Sequence, residues 1–281
     1  MKTHSQKPFY ISNVIVAIMV VAFMIISLFP FFWILITSFK PSSEIFGTTA
    51  FQVISKDPTW ENYFVVIFDK NIVKSIFNSL IVAGSTTIYV VIIASLSAYI
   101  IARFTFTGKS LLMGIVLSVS MFPQMIVVGP IFNMFYKLGI LNSYFLALAY
   151  STITFPTAVW IMVAHFKSVP LSIEEAARID GCSPWQTLWK IVFPVASSGV
   201  ATTAIMTFIA AWNEYLLAIT LNVNKKYQTV PVAINALRTQ YSVFWGQITA
   251  ATVLVVIPTI IIVLLFQKKI VGGISNGAVK E

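Results

Sequence analysis

The chain has 281 residues, 58% of them hydrophobic and only 10% charged, with a formal charge of +9. Soluble domains carry about 25% charged residues, so a soluble enzyme or nucleic-acid binder is excluded, and the excess of Lys and Arg between apolar runs reads as membrane orientation. The lone Cys182 excludes an intrachain disulfide framework.

A hydrocarbon core of ~30 Å needs ~20 mostly apolar residues per helix. Six segments meet this in chain order: Ile11–Phe39, Phe77–Ala102, Leu111–Tyr136, Tyr144–Phe166, Val195–Leu221 and Ile248–Phe266. The expected fold is an all-α membrane protein, a single domain of six transmembrane helices over residues 1–281. The run after Lys7 is too long for a signal-peptide core and is expected to be an uncleaved first span. Pro30, Pro123, Pro130, Pro156 and Pro258 interrupt the apolar segments, which is tolerated where neighbours or a cavity satisfy the backbone. Ala94, Ala98 and Ala102 recur at four-residue spacing and favour close helix packing.

Ten of the eighteen basic residues fall on the side of both termini, and four of the other eight lie in the long 40–76 loop. The charge rule weighs short loops most. Both termini and the stretch Leu171–Pro194 are therefore expected in the cytoplasm. The loops Lys40–Lys74 and Asn222–Gln247 are expected outside, the second partly helical around Val230–Leu237.

Leu171–Pro194 is the longest polar stretch between two apolar runs. Ser172 and Glu175 form the sequence pattern of a capping box, which predicts a helix from Ile173. Gly181 suits a left-handed C-terminal cap. Ser183, Pro184 and Gln186 predict a second capped helix, whose Trp185, Leu188, Trp189 and Val192 make one apolar stripe. The pattern fits an interfacial loop anchored by two tryptophans as well as a docking element.

Two polar clusters lie inside the spans. Trp212-Asn213-Glu214-Tyr215 sits deep in the fifth, and Gln124 lies in the third with Asn133 further along. An acid at mid-membrane costs ~2.5–3.5 kcal/mol on the insertion scale, so Glu214 needs a reason. It pairs with a cation of a partner subunit, stays protonated and hydrogen-bonded within the bundle, or lines a solute path. A structural or interface role is preferred; a structural role with a protonated acid predicts that Glu214→Gln is well tolerated. Gln124, Asn133, Asn213, Glu214 and Tyr215 are together the pathway or interface candidates.

Thr107–Ser110 reads TGKS, but a phosphate-binding loop needs glycine five places before Gly108, and Arg103 stands there. His4, His165 and Cys182 have no metal-ligand spacing. The chain is therefore expected to bind no cofactor and catalyse no reaction itself.

Glu175-Ala176-Ala177, three residues, Gly181, nine residues, Ile191, one residue, Phe193-Pro194 resembles the EAA motif of ABC importer permeases. Phe193 stands where Leu is usual and keeps the position apolar. Nearly the whole chain from Pro30 on, with WNEYLLA in the fifth span and the GAVK tail, is similar to the MalG-type carbohydrate permeases. The resemblance implies a type I ABC importer, with a homologous second permease subunit, two cytoplasmic ATPase subunits that carry ATP–Mg, and an extracellular solute-binding protein. The cargo would be a carbohydrate, crossing the cytoplasmic membrane of a prokaryote by alternating access. It implies that Glu174, Glu175, Ala176, Ala177, Asp180 and Gly181, within coupling helices over 172–193, dock on the ATPase. The tail Gly277, Ala278, Val279 and Lys280 would touch the ATPase dimer, and Val232, Asn235 and Ala236 would touch the binding protein. The alternatives are an ABC permease for a non-sugar solute and a secondary transporter without an ATPase.

Overall fold

The computed structural model describes residues 11–46 and 50–278, and among these it is helical throughout, with one isolated β-bridge between Arg238 and Val243. In chain order the α-helices are α1 (Ile11–Ser38), α2 (Ser42–Ile45), α3 (Glu61–Phe64), α4 (Ile72–Arg103), α5 (Lys109–Ser120), α6 (Gln124–Lys137), α7 (Leu146–Ser168), α8 (Leu171–Ile179), α9 (Pro184–Gln186), α10 (Phe193–Val195), α11 (Ser197–Trp212), α12 (Leu216–Leu221), α13 (Val230–Asn235) and α14 (Trp245–Ala278). Val65–Asp69 and Thr187–Val192 are π-helical. Four helices are long and apolar enough to cross a membrane, and up to six spans result if each bent pair counts as one.

The expected spans change at four places, one of them the last, which starts at Trp245 and runs on to Ala278. The second helix begins at Ile72 rather than Phe77. The third is broken, since α5 and α6 meet at 95° across Met121–Pro123. The fifth is bent by 83° near Ala196 and ends at Trp212, leaving Asn213–Tyr215 outside any helix before α12. Of the five prolines, only Pro123 stands at a break. Pro30, Pro130, Pro156 and Pro258 lie inside continuous helices.

The chain forms two compact units, one of residues up to 70 with 237–254, the other of 71–236 with the residues from 255 on. In the first, α1 presents Phe23, Ile25, Ile26 and Leu28 at 63% exposure or more, as expected of a helix solvated by lipid or by another chain. Beyond α1 the loop is built rather than slack. Asn62 Nδ2 donates to the Ser38 and Lys40 carbonyls at 3.0 Å, and Tyr63 Oη bonds Ser38 Oγ at 2.7 Å. The buried Lys40 ammonium donates to the Ala50 and Gln52 carbonyls and lies over the Trp33 ring, which satisfies a charge that would otherwise be costly to bury.

In the second unit α4, α7 and α11 form the core, around Val90, Ala94, Ala98, Val159, Met162 and Phe166. Lipid is as apolar as these side chains, so close van der Waals packing has to hold the helices together. Ala94, Ala98 and Ala158 are at most 2% exposed. The closest approach is at Gly199 of α11, where a Cβ would sit 2.1 Å from the His165 ring on α7. Gly199→Ala is therefore expected to force the helices apart at about 1–3 kcal/mol, read as a lower melting temperature of the purified protein. A melting temperature equal to that of the unchanged protein would mean that the contact is looser than described.

Candidate functional site

Two places in the second unit gather the residues singled out in the sequence. The first is the α8–α10 segment. The anticipated capping box at Ser172 and Glu175 does not form: α8 starts at Leu171, with Pro170 as its N-cap and no side-chain cap. Pro170, with φ −59° and ψ 133°, stands just outside the helix, which starts two residues earlier than expected. The other end is as expected. Gly181 takes φ +82°, its N–H donates to the Arg178 carbonyl at 3.0 Å, and the Cys182 N–H donates to the Ala177 carbonyl at 2.9 Å. This is a Schellman termination, which glycine adopts without steric cost. A Cβ at Gly181 would meet nothing within 4 Å, so its demand is conformational and not spatial. Ser183 and Gln186 form a reciprocal capping box at the start of α9. Of the expected apolar stripe, Leu188 and Val192 are buried and Trp189 half-buried, while Trp185 is 62% exposed.

The residues expected to dock a partner separate into two faces. Glu175, Ala176, Asp180 and Gly181 are exposed, together with Ile179 at 86%. Glu174 and Ala177 point inward, which corrects their assignment to a docking face. Glu174 Oε1 pairs with Arg103 Nε of α4 at 2.5 Å, its Oε2 accepts from Tyr99 Oη at 3.2 Å, and Arg103 Nη2 donates to the Val169 carbonyl at 2.8 Å. One carboxylate thus fastens α8 to the last turn of α4. The exposed residues stand on the outer side of a rigidly mounted unit.

The second place is centred on Glu214, which is 6% exposed. Its Oε1 accepts from Gln124 Nε2 at 2.7 Å and from the Leu217 N–H at 2.9 Å, and its Oε2 accepts from the Ala218 N–H at 3.0 Å. The first N–H groups of a helix have no intrahelical acceptor. Glu214 supplies one to α12, where the helix N-terminus also favours negative charge. Gln124 opens α6, so one carboxylate joins the break after α11 to the break after α5. The Tyr150 hydroxyl lies beside Glu214 and beside the Thr229 hydroxyl, and both hydroxyls are buried without a hydrogen bond of acceptable geometry. Tyr215 Oη accepts from Asn235 Nδ2 of α13 at 2.5 Å. Asn213 is exposed and donates back to the Ile209 carbonyl at 2.9 Å. Asn133 is exposed on α6, two and a half turns from Gln124 and outside this cluster. Both oxygens of Glu214 act as acceptors.

The segment before α13 is held to the bundle, a feature that sequence reasoning missed. Asn78 Nδ2 donates to the Lys226 and Gln228 carbonyls, Tyr144 Oη donates to Asn78 Oδ1, and the Val230 N–H donates to Ser79 Oγ at 2.8 Å. The polar pair Asn78-Ser79 near the start of the second span was the available signal. Of the residues assigned to binding-protein contact, Val232 is 4% exposed and packs inward, which corrects that assignment, while Asn235 and Ala236 are exposed. In the tail, Gly277 and Ala278 belong to α14, and Val279 and Lys280 lie outside the described residues.

Residues 91–276 match the family model described as a binding-protein-dependent transport system inner membrane component. The chain is 36% identical over 274 residues to the trehalose/maltose transport system permease protein MalG of Thermococcus litoralis, covering 96% of this chain and 98% of that one. It is also 36% identical to the trehalose transport system permease protein SugB of Mycobacterium tuberculosis, over 90% of this chain and 93% of that one. Among solved structures, a chain of a bacterial ABC transporter involved in the import of the acidic polysaccharide alginate superposes with a TM-score of 0.75. That match has 24% identity and covers 93% of this chain and 99% of that one, a likeness of fold.

Proposed function

We propose that this chain, which belongs to the family of binding-protein-dependent transport system inner membrane components, is one permease subunit of an ATP-driven importer that moves a carbohydrate by alternating access. The observation that carries the reading is the α8–α9 unit. It shows Glu175, Ala176, Asp180 and Gly181 on one face and is bolted to α4 through Glu174 and Arg103 on the other. Small and charged residues on that face let another protein approach closely and pair. A clamped base passes a displacement on to α4, and through α4 to α7 and α11, against which it packs. The sequence has no phosphate-binding loop at Arg103–Ser110, so ATP with Mg²⁺ is held by separate cytoplasmic ATPase subunits. On this reading the coupling unit and both termini face the cytoplasm of a prokaryote, as the basic residues of the short loops favour. A homologous permease completes the pathway, and an extracellular binding protein delivers the solute near Asn235 and Ala236. The names of the relatives, with trehalose and maltose among their substrates, support a carbohydrate over another solute. Solute and nucleotide shift the transporter between its two states only by their differential affinity for them.

The test is Glu175→Lys in the reconstituted importer. Glu175 is exposed, so the chain is expected to fold and assemble. Uptake into proteoliposomes is expected to fall at least tenfold, and ATP hydrolysis to lose its response to sugar-loaded binding protein. Uptake and stimulation at the levels of the unchanged protein would sink the coupling role.

A further inference from the structure

The bend between α5 and α6 opens a cavity of about 910 Å³ against α4 and α7, within the ~300–1,000 Å³ usual for small-molecule sites. Its wall carries the aromatic rings of Tyr89, Phe122 and Phe155, and the polar groups of Tyr89, Ser120, Gln124, Ser151 and Thr152. No lining residue is charged.

The hydroxyl protons of these polar groups are already committed. Tyr89 Oη donates to the Ala147 carbonyl at 2.9 Å, Ser120 Oγ to Leu117 at 2.7 Å, Ser151 Oγ to Leu148 at 2.6 Å, and Thr152 Oγ1 to Ala149 at 2.8 Å. Gln124 gives an amide N–H to Glu214. A hydroxyl that has donated its one proton keeps lone pairs to accept with, and an amide keeps its carbonyl oxygen. The wall therefore presents acceptors, the one remaining amide N–H of Gln124 and aromatic faces, with no cation. A matching ligand brings hydrogen-bond donors, carries no negative charge and offers C–H surface to the rings. That is the description of a neutral polyol. An anion would meet mostly acceptor oxygens with no positive charge to balance it, and an acyl chain would use none of the acceptors.

We propose that this cavity is a saccharide subsite on this subunit, selective for neutral sugars over uronic or sulfonated ones. The inference rests on the carbohydrate-import reading above. The experiment uses the assembled importer in membranes, with Cys182→Ser as background and Thr152→Cys or Ser151→Cys as reporters of access to a small maleimide. A panel of maltose, trehalose, cellobiose and diacetylchitobiose is first assayed for uptake, and the disaccharide that is imported becomes the probe, with maltobionate as its anionic counterpart. The imported neutral disaccharide is expected to slow labelling at least threefold, and maltobionate to leave it unchanged. Thr152→Val, which keeps the shape and removes the oxygen, is expected to raise the half-saturating sugar concentration of uptake about two- to tenfold. Normal uptake with no protection by the transported sugar overturns the subsite while leaving the import reading intact. Equal protection by maltobionate overturns the selectivity. Protection that is present without sugar and is lifted by lipid extraction identifies an acyl chain and overturns the proposal. A complex that imports no neutral saccharide from the panel removes the premise, and the proposal falls with it.

Discussion

Replacing Glu174 by alanine is expected to destabilise the chain by about 3–5 kcal/mol, the cost of stranding one member of a buried ion pair. The partners are enclosed: the side chains of Arg103 and Glu174 are 5% and 1% exposed. Without the carboxylate, the Arg103 guanidinium keeps only the Val169 carbonyl, and the Tyr99 hydroxyl loses the acceptor it has. Removing both charges together, as Arg103→Met with Glu174→Leu, is expected to recover most of the loss, because a buried pair exchanged for apolar side chains of similar volume is often neutral in stability. Melting of the purified complex in detergent reads both variants. The contrast with Glu175→Lys separates the adjacent acids: Glu174 is expected to govern stability, and Glu175, on the function proposed above, communication with the ATPase. A Glu174→Ala protein that melts with the unchanged protein would mean that the pair does not hold α8 to α4.

That division between neighbours was not legible in the chain. Helical periodicity alone puts Glu174 and Glu175 a hundred degrees apart, and which of them faces inward depends on where Arg103, far earlier in sequence, comes to rest. The unit itself was legible, because its end signals are local: a glycine at positive φ after α8 and a reciprocal Ser183–Gln186 cap before α9. Its start was misplaced, since the Ser172–Glu175 pattern forms no cap and the helix starts directly after Pro170. The apolar spans were legible from length and composition, but their breaks were not. Of the prolines inside the apolar spans, only Pro123, the N-cap of α6, marks a break. The break after Trp212 contains no proline, and its signal was the cost of placing Glu214 in an apolar run. The acid marks the break because it supplies the acceptor that the new helix start requires.

The second large effect follows from this role. The sequence alone suggested that Glu214→Gln would be well tolerated, the amide replacing a protonated carboxyl. The geometry reverses that expectation. Three N–H donors converge on two oxygens, from Gln124, Leu217 and Ala218. A glutamine offers one oxygen, and its NH₂ must then face a donor on the other side. A stranded buried donor costs about 1–3 kcal/mol. Glu214→Gln is therefore expected to lose roughly 1–3 kcal/mol, and Glu214→Ala, which strands all three donors, about 3–6. The readout beyond stability is local: with Glu214 gone, the amide N–H groups of Leu217 and Ala218 should exchange with deuterium at least tenfold faster in the intact complex, while those in the middle of α4 stay unchanged. Gln124 is released at the same time, so its oxygen is no longer held at the cavity between α5 and α6, and the sugar affinity of uptake should weaken in step with the exchange rate. A Glu214→Gln variant with unchanged stability and exchange, but an altered choice of sugar, would take Glu214 out of the helix junction and place it in contact with the solute.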